Sequence, residues 1–159
     1  MNKLKLFPVI FFIVTAQLAG VVGGLSVASS VGGWYKTIIK PNFTPPDYVF
    51  APVWTALYLL MGIAAFLVYN QGINKKEVRG ALCLYFVQII LNALWSFLFF
   101  GLKSPLLGLA DIVALWILII LTIIYFYRVS KPAAFIMLPY LAWVSFAFVL
   151  NYEIFRLNS

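Results

Sequence analysis

The sequence predicts an all-α membrane protein: one domain over residues 1–159, built as a bundle of five transmembrane helices. Three observations predict it. Hydrophobic residues make up 65% of the chain and charged residues only 9%, with a mean hydropathy of +1.05. A soluble domain of this length leaves too much surface in water to hide that apolar content, and the same content excludes disorder. Five apolar runs reach the roughly 20 residues that a helix needs to cross a bilayer. The runs are also continuous, whereas the strands of a membrane barrel alternate apolar and polar residues.

The first run, Leu6–Val27, carries one amide, Gln17, and the small residues Gly20, Gly23 and Gly24. Lys3 and Lys5 precede it, and Ser26-Val27-Ala28 has the small-residue character of a signal-peptide cleavage site. The run is longer than a usual signal core, which favours a retained helix. The connection from Ala28 to Asp47 is unlike the others, with Gly32-Gly33, Trp34-Tyr35, Pro41 and Pro45-Pro46. Prolines stiffen it, and its aromatics suit either an interfacial anchor or a lid over a cavity.

The second run, Val49–Tyr69, shows Trp54, Tyr58 and Met61 at helical spacing, with Ala51 and Ala65 on the same line. The third, Gly80–Phe100, carries Tyr85, Gln88, Asn92 and Trp95 as one polar-aromatic stripe. The fourth, Leu106–Tyr127, holds Asp111 near its start. The fifth, Ala133–Phe155, carries Tyr140, Trp143, Ala147 and Asn151, and Pro139 should kink it and free carbonyls beside Trp143. Tight turns at Gly101–Pro105 and Arg128–Pro132 make the last three helices antiparallel neighbours. Amides and carboxylates avoid lipid, so the stripes are expected to point inward, with Asp111 taking a donor from a neighbour or serving a site.

Charge sets orientation and excludes some chemistry. Lys3, Lys5, Lys75, Lys76, Arg79, Arg128 and Lys131 fall on one side, against Lys36, Lys40, Lys103 and Arg156 on the other. The positive-inside rule then puts the N-terminus in the cytoplasm of a multi-pass cell-membrane protein. The net charge of +7 is divided among short loops and forms no stripe for nucleic acid. With no histidine, one cysteine (Cys83) and four scattered acids, the sequence offers no metal cluster, catalytic triad or paired carboxylates. What remains is a set of aromatic faces interleaved with amides, suited to a flat apolar ligand.

Those residues follow a known pattern. Trp34-Tyr35, Lys40-Pro41, Thr44-Pro45-Pro46, Pro52-Val53-Trp54-Thr55 and Leu57-Tyr58 open it. Gln88, Leu91-Asn92, Trp95, Phe99-Phe100-Gly101, Pro139-Tyr140-Leu141-Ala142-Trp143 and Leu150-Asn151-Tyr152 complete it. Together they resemble the TspO/translocator-protein family, also called tryptophan-rich sensory proteins or peripheral-type benzodiazepine receptors.

The resemblance implies a receptor or sensor, commonly a homodimer in the lipid bilayer. Its helix-bundle cavity would bind porphyrins, protoporphyrin IX or haem-like, and isoquinoline or benzodiazepine compounds, with no covalent cofactor. On the residues that match, the site comprises Tyr35, Pro46, Trp54, Asn92, Asp111, Trp143 and Ala147, to which the stripes add Tyr58, Gln88 and Trp95. Trp54 and Trp143 match a pair linked to light-dependent porphyrin breakdown in some members, the one catalytic role the resemblance offers. Leu150, Tyr152 and Arg156 fit a sterol-recognition pattern, itself a weak one. The chain carries Phe155 where animal members have a further Trp and lacks their basic tail after Asn158, which makes sterol handling the least supported role. A transporter is the competing reading, but no inverted repeat or pair of broken helices supports it.

Overall fold

The computed structural model describes residues 3–159, with side chains from Leu6 onward; the side chains of Lys3 and Lys5, counted above in the charge bias, lie outside the described residues. Every regular element among them is helical: α1 (Lys3–Val31), α2 (Trp34–Thr37), α3 (Asp47–Tyr69), α4 (Lys76–Ser96) continued by a π-helical turn (Phe97–Gly101), α5 (Pro105–Val129), α6 (Lys131–Ile136) and α7 (Leu138–Leu157). Five spans are long and apolar enough to cross a membrane: α1, α3, α4 with its π turn, α5, and α6 with α7. Each predicted run lies inside one of them. The first helix continues past the expected Val27 through Ser26-Val27-Ala28 to Val31.

Around the bundle the order is α1, α3, α6–α7, α5 and α4, which returns to α1. Helices α1 and α3 approach closely. A Cβ added to Gly62 would lie 2.6 Å from the Ile13 Cα, so the two backbones nearly touch there. Such contact between small residues is how helices associate where lipid removes the hydrophobic drive. The half of the bundle nearest the N-terminus is filled by Phe12, Met61, Tyr85, Ile119, Phe126 and Met137, all buried.

The ends of the helices follow local chemistry. Ser104 caps α5 by accepting from the Leu107 N–H at 3.2 Å, Pro105 stands at the start of that helix, and Lys103 takes the left-handed backbone (φ 54°) that closes the preceding turn. The kink expected at Pro139 is a break at Met137, two residues earlier, because a proline is accommodated in the first turn of a new helix. The Met137 N–H turns back on the Ala134 and Phe135 carbonyls, so the loosened backbone lies a turn or more before Trp143 and not beside it.

Candidate ligand cavity

The tyrosines and amides of the stripes meet first in a buried chain of hydrogen bonds. The Tyr58 hydroxyl donates to Asn92 Oδ1 at 2.5 Å, Asn92 Nδ2 donates to the Tyr140 hydroxyl at 3.2 Å, and Tyr140 donates to Gln88 Oε1 at 2.8 Å. This ties α3, α4 and α7 together in the middle part of their apolar spans, where an unpaired polar group would be costly. A second tie lies nearer the α2 end. Trp95 Nε1 donates to Asn151 Oδ1 at 3.0 Å, and Asn151 Nδ2 donates to the Pro105 carbonyl at 2.8 Å.

Above the tyrosine-amide chain the helices part, leaving a cavity of about 540 Å³, within the roughly 300–1,000 Å³ of small-molecule sites. Its floor is Tyr58 with Trp54, stacked at 5.5 Å between ring centroids. Trp143 faces in from α7, edge-on to Phe50 at 5.9 Å, and its Nε1 is buried with no acceptor among the described residues. Trp95, Phe99 and Phe100 line the α4 wall. The π turn brings both phenylalanines to that wall: the Leu102 N–H reaches back five residues to the Phe97 carbonyl at 2.8 Å, widening the turn by one residue. The Ser30 hydroxyl donates to the Phe100 carbonyl across from α1.

The connection from α1 to α3 is a lid. Tyr35 on α2 lines the cavity, is only 5% exposed and packs on Phe100 at 5.3 Å, while Trp34 meets Phe99 at 5.7 Å. The far part of the connection is strapped to the end of α7. Asn158 accepts from the Ile39 N–H and donates to the Ile39 carbonyl, both at 2.9 Å. Lys40 Nζ sits 4.1 Å from the centre of the Tyr35 ring. Burial, with a smaller contribution from the Asp47 carboxylate, pushes the Tyr35 phenol from 10.0 up to about 12.

Of the residues singled out in the sequence, Tyr35, Trp54, Tyr58, Trp95, Trp143 and Ala147 line the cavity together. Gln88 and Asn92 are buried in the hydrogen-bond chain below it, Asp111 is buried in α5, and Pro46 is exposed at the start of α3; none of these four lines it. The donor expected for Asp111 is absent, since Oδ2 is buried with no partner among the described residues. Leu150 lines the cavity, but Tyr152 is 47% exposed and Arg156 pairs with Glu153 at 2.7 Å, so the sterol pattern does not form one surface. Phe50 and Phe146 are lining residues with no signal in the sequence, and Gly20 and Gly24, evident only as small residues, line it too; an apolar or small residue inside an apolar run gives no contrast that marks it as part of a cavity.

A family model, the TspO/MBR family, matches residues 12–157. The chain belongs to the TspO/MBR family. It is 46% identical to the tryptophan-rich protein TspO of Archaeoglobus fulgidus over 160 residues, covering 100% of both chains. It is 48% identical to the tryptophan-rich protein TspO of Chlorobaculum tepidum over 139 residues, 87% of this chain and 88% of that one. It is 34% identical to the translocator protein of Bos taurus over 153 residues, 96% of this chain and 90% of the relative. Family membership and five apolar spans make this TspO/MBR member a multi-pass membrane protein.

Proposed function

We propose that this protein is a membrane receptor or sensor that binds porphyrins of the protoporphyrin IX type in the cavity under the α2 lid. The observation that carries the reading is the convergence of Trp54, from α3, and Trp143, from α7, on one covered apolar cavity. A flat macrocycle would stack on these indoles and on Tyr58 and Phe99, since offset stacking favours broad aromatic faces. With no histidine in the chain, a haem-like ligand would be held by stacking and hydrogen bonds and not through an imidazole on iron.

Propionate groups would point toward the lid, which carries Lys36 on α2 and Lys40 over the Tyr35 ring as sources of positive charge. Asp47 is the one charged lining residue and opposes an anionic group there. In saturation titrations protoporphyrin IX should quench tryptophan fluorescence, and Trp143→Phe should weaken that quenching. Unchanged quenching in both Trp54→Phe and Trp143→Phe would overturn the assignment. In the same assay Lys40→Ala should weaken binding of the free acid more than that of its dimethyl ester.

A second reading, light-dependent breakdown of the porphyrin, is favoured by the same pair of cavity indoles. Bleaching that persists in the Trp54→Phe/Trp143→Phe double variant would exclude that route. We also infer that the N-terminus is cytoplasmic, which the basic bias of its end of the bundle supports; the lid then closes the cavity on the outer side.

A further inference from the structure

The cavity wall is not equally covered on all sides. Its lining residues from α2, α4 and α7 are buried or half-buried. The exposed ones are Val21, Gly24 and Ala28 on α1 and Asp47, Ala51 and Thr55 on α3, all on the two helices that face each other across one side. These same helices touch most closely lower down. Beyond the Gly62–Ile13 contact, Gln17 Nε2 donates to the Thr55 carbonyl at 3.0 Å. Gly20 then lies against the Tyr58 ring, so close that an added Cβ would fall 2.4 Å from it. One turn further along, a Cβ added at Gly24 would meet nothing within 4 Å. The pair therefore opens as a V above the Gly20–Tyr58 contact.

The opening is on the part of the bundle that a bilayer would surround. It lies within the two apolar spans Leu6–Val31 and Asp47–Tyr69, and α1 is the least covered of all, 17% buried over its most apolar window against 33–39% for the others. An apolar cleft open to a bilayer does not stay empty or fill with water, because hydrocarbon is the surrounding solvent. Its wall is mostly apolar: the lining amides Gln17 and Asn151 are already hydrogen-bonded within the bundle, and the one charged lining residue, Asp47, begins α3 at the lid end.

We propose that the cavity opens sideways into the bilayer between α1 and α3 and takes in a lipid acyl chain through that opening. Its occupants, acyl chain or other apolar ligand, arrive from the membrane and not past the α2 lid. The lid is strapped by Asn158 and by the aromatic contacts of α2, whereas no hydrogen bond joins α1 to α3 above Gln17 among the described residues.

Thiol labelling in proteoliposomes tests this without any porphyrin, so the result stands apart from the fate of the proposed function. In a Cys83→Ala background, Ala147→Cys puts a thiol on the far wall, and Val149→Cys puts one on an exposed face of the same helix. An N-hexadecyl maleimide dissolved in the bilayer should label Ala147→Cys, and a sulfonated water-soluble maleimide should label it at least fivefold more slowly. Adding Gly24→Phe and Ala51→Phe should slow the lipid-soluble reagent at Ala147→Cys at least fivefold and leave Val149→Cys unchanged. Equal labelling with the mouth filled, or faster labelling by the water-soluble reagent, overturns the proposal. Should the double substitution also alter Val149→Cys, indicating a disturbed fold, Ala51→Leu alone should still slow the cavity site at least twofold, and no slowing there overturns it as well.

Discussion

Tyr140 is 0% exposed and holds two of the three bonds in the chain from Tyr58 to Gln88, one as acceptor and one as donor. Removing its hydroxyl leaves Asn92 Nδ2 and Gln88 Oε1 short of partners where no bulk water can replace it. Polar pairs in membranes are individually worth only about 0.6 kcal/mol on average because the unfolded reference also finds partners. With two groups orphaned at once, Tyr140→Phe should destabilise the bundle by about 1–2 kcal/mol, read as a lowered midpoint in detergent denaturation followed by circular dichroism. Tyr35 supplies a residue-level prediction in pH. Its folded value of about 12 lies above the ordinary 10.0, so its packing contribution is intact below pH 10 and is lost as pH rises toward 12. Between those values the α2 lid should loosen. Acrylamide quenching of Trp34, read with the other four tryptophans replaced by phenylalanine, should therefore rise across that interval, and Tyr35→Phe should remove that rise.

At the level of elements, two glycines on the α1–α3 pair have opposite demands. Gly62 sits where backbones meet, so even Gly62→Ala must push α1 away at Ile13, a displacement of the kind that overpacking makes costly, typically about 1–3 kcal/mol. Gly24→Ala meets open space and should be neutral or slightly stabilising, since alanine also restricts the unfolded chain. Thermal melts of the two variants side by side check this, and equal losses would contradict the V-shaped pairing. The contrast also marks how far the sequence could be read. Span lengths and the inward stripes of α4 and α7 were legible because apolar length and helical period are properties of one segment at a time. Trp54, Tyr58 and Trp143 were found for the same reason. The π turn at Phe97–Gly101, the break at Met137 and the different environments of Gly24 and Gly62 were not, because each is decided by what packs across from it. The strap from Asn158 to Ile39 joins residues 119 apart, and no local pattern announces it. Gln88 and Asn92 read as ligand contacts because an intramembrane amide needs a partner; the structure gives Asn92 both Tyr58 and Tyr140 and gives Gln88 Oε1 the Tyr140 hydroxyl, while Gln88 Nε2 is left without one among the described residues.

For the molecule as a whole, the two ends of the bundle differ in both charge and packing. Lys75, Lys76, Arg79, Arg128 and Lys131 gather at the end that is filled with buried side chains, whereas the cavity, its lid and Asp47 occupy the end with Lys36, Lys40, Lys103 and Arg156. Basic residues in short loops resist translocation, so the packed end is expected in the cytoplasm and the covered cavity toward the outside. Cysteine scanning in whole cells decides the point. With Cys83→Ala as background, Lys36→Cys should react with an impermeant maleimide in intact cells, and Gln71→Cys should react only after permeabilisation. The bias rests on few residues, so it should also be movable. Adding three lysines beside Lys103 while replacing Lys75, Lys76 and Arg79 with glutamine should invert the labelling of both sites in a measurable fraction of molecules. Labelling of Gln71→Cys in intact cells without those changes would reverse the orientation. It would put the lid on the inner face, so that a porphyrin's charged edge would meet Lys36 and Lys40 from the cytoplasm, while the opening between α1 and α3 would still lie within the membrane, because it depends only on how those two helices cross.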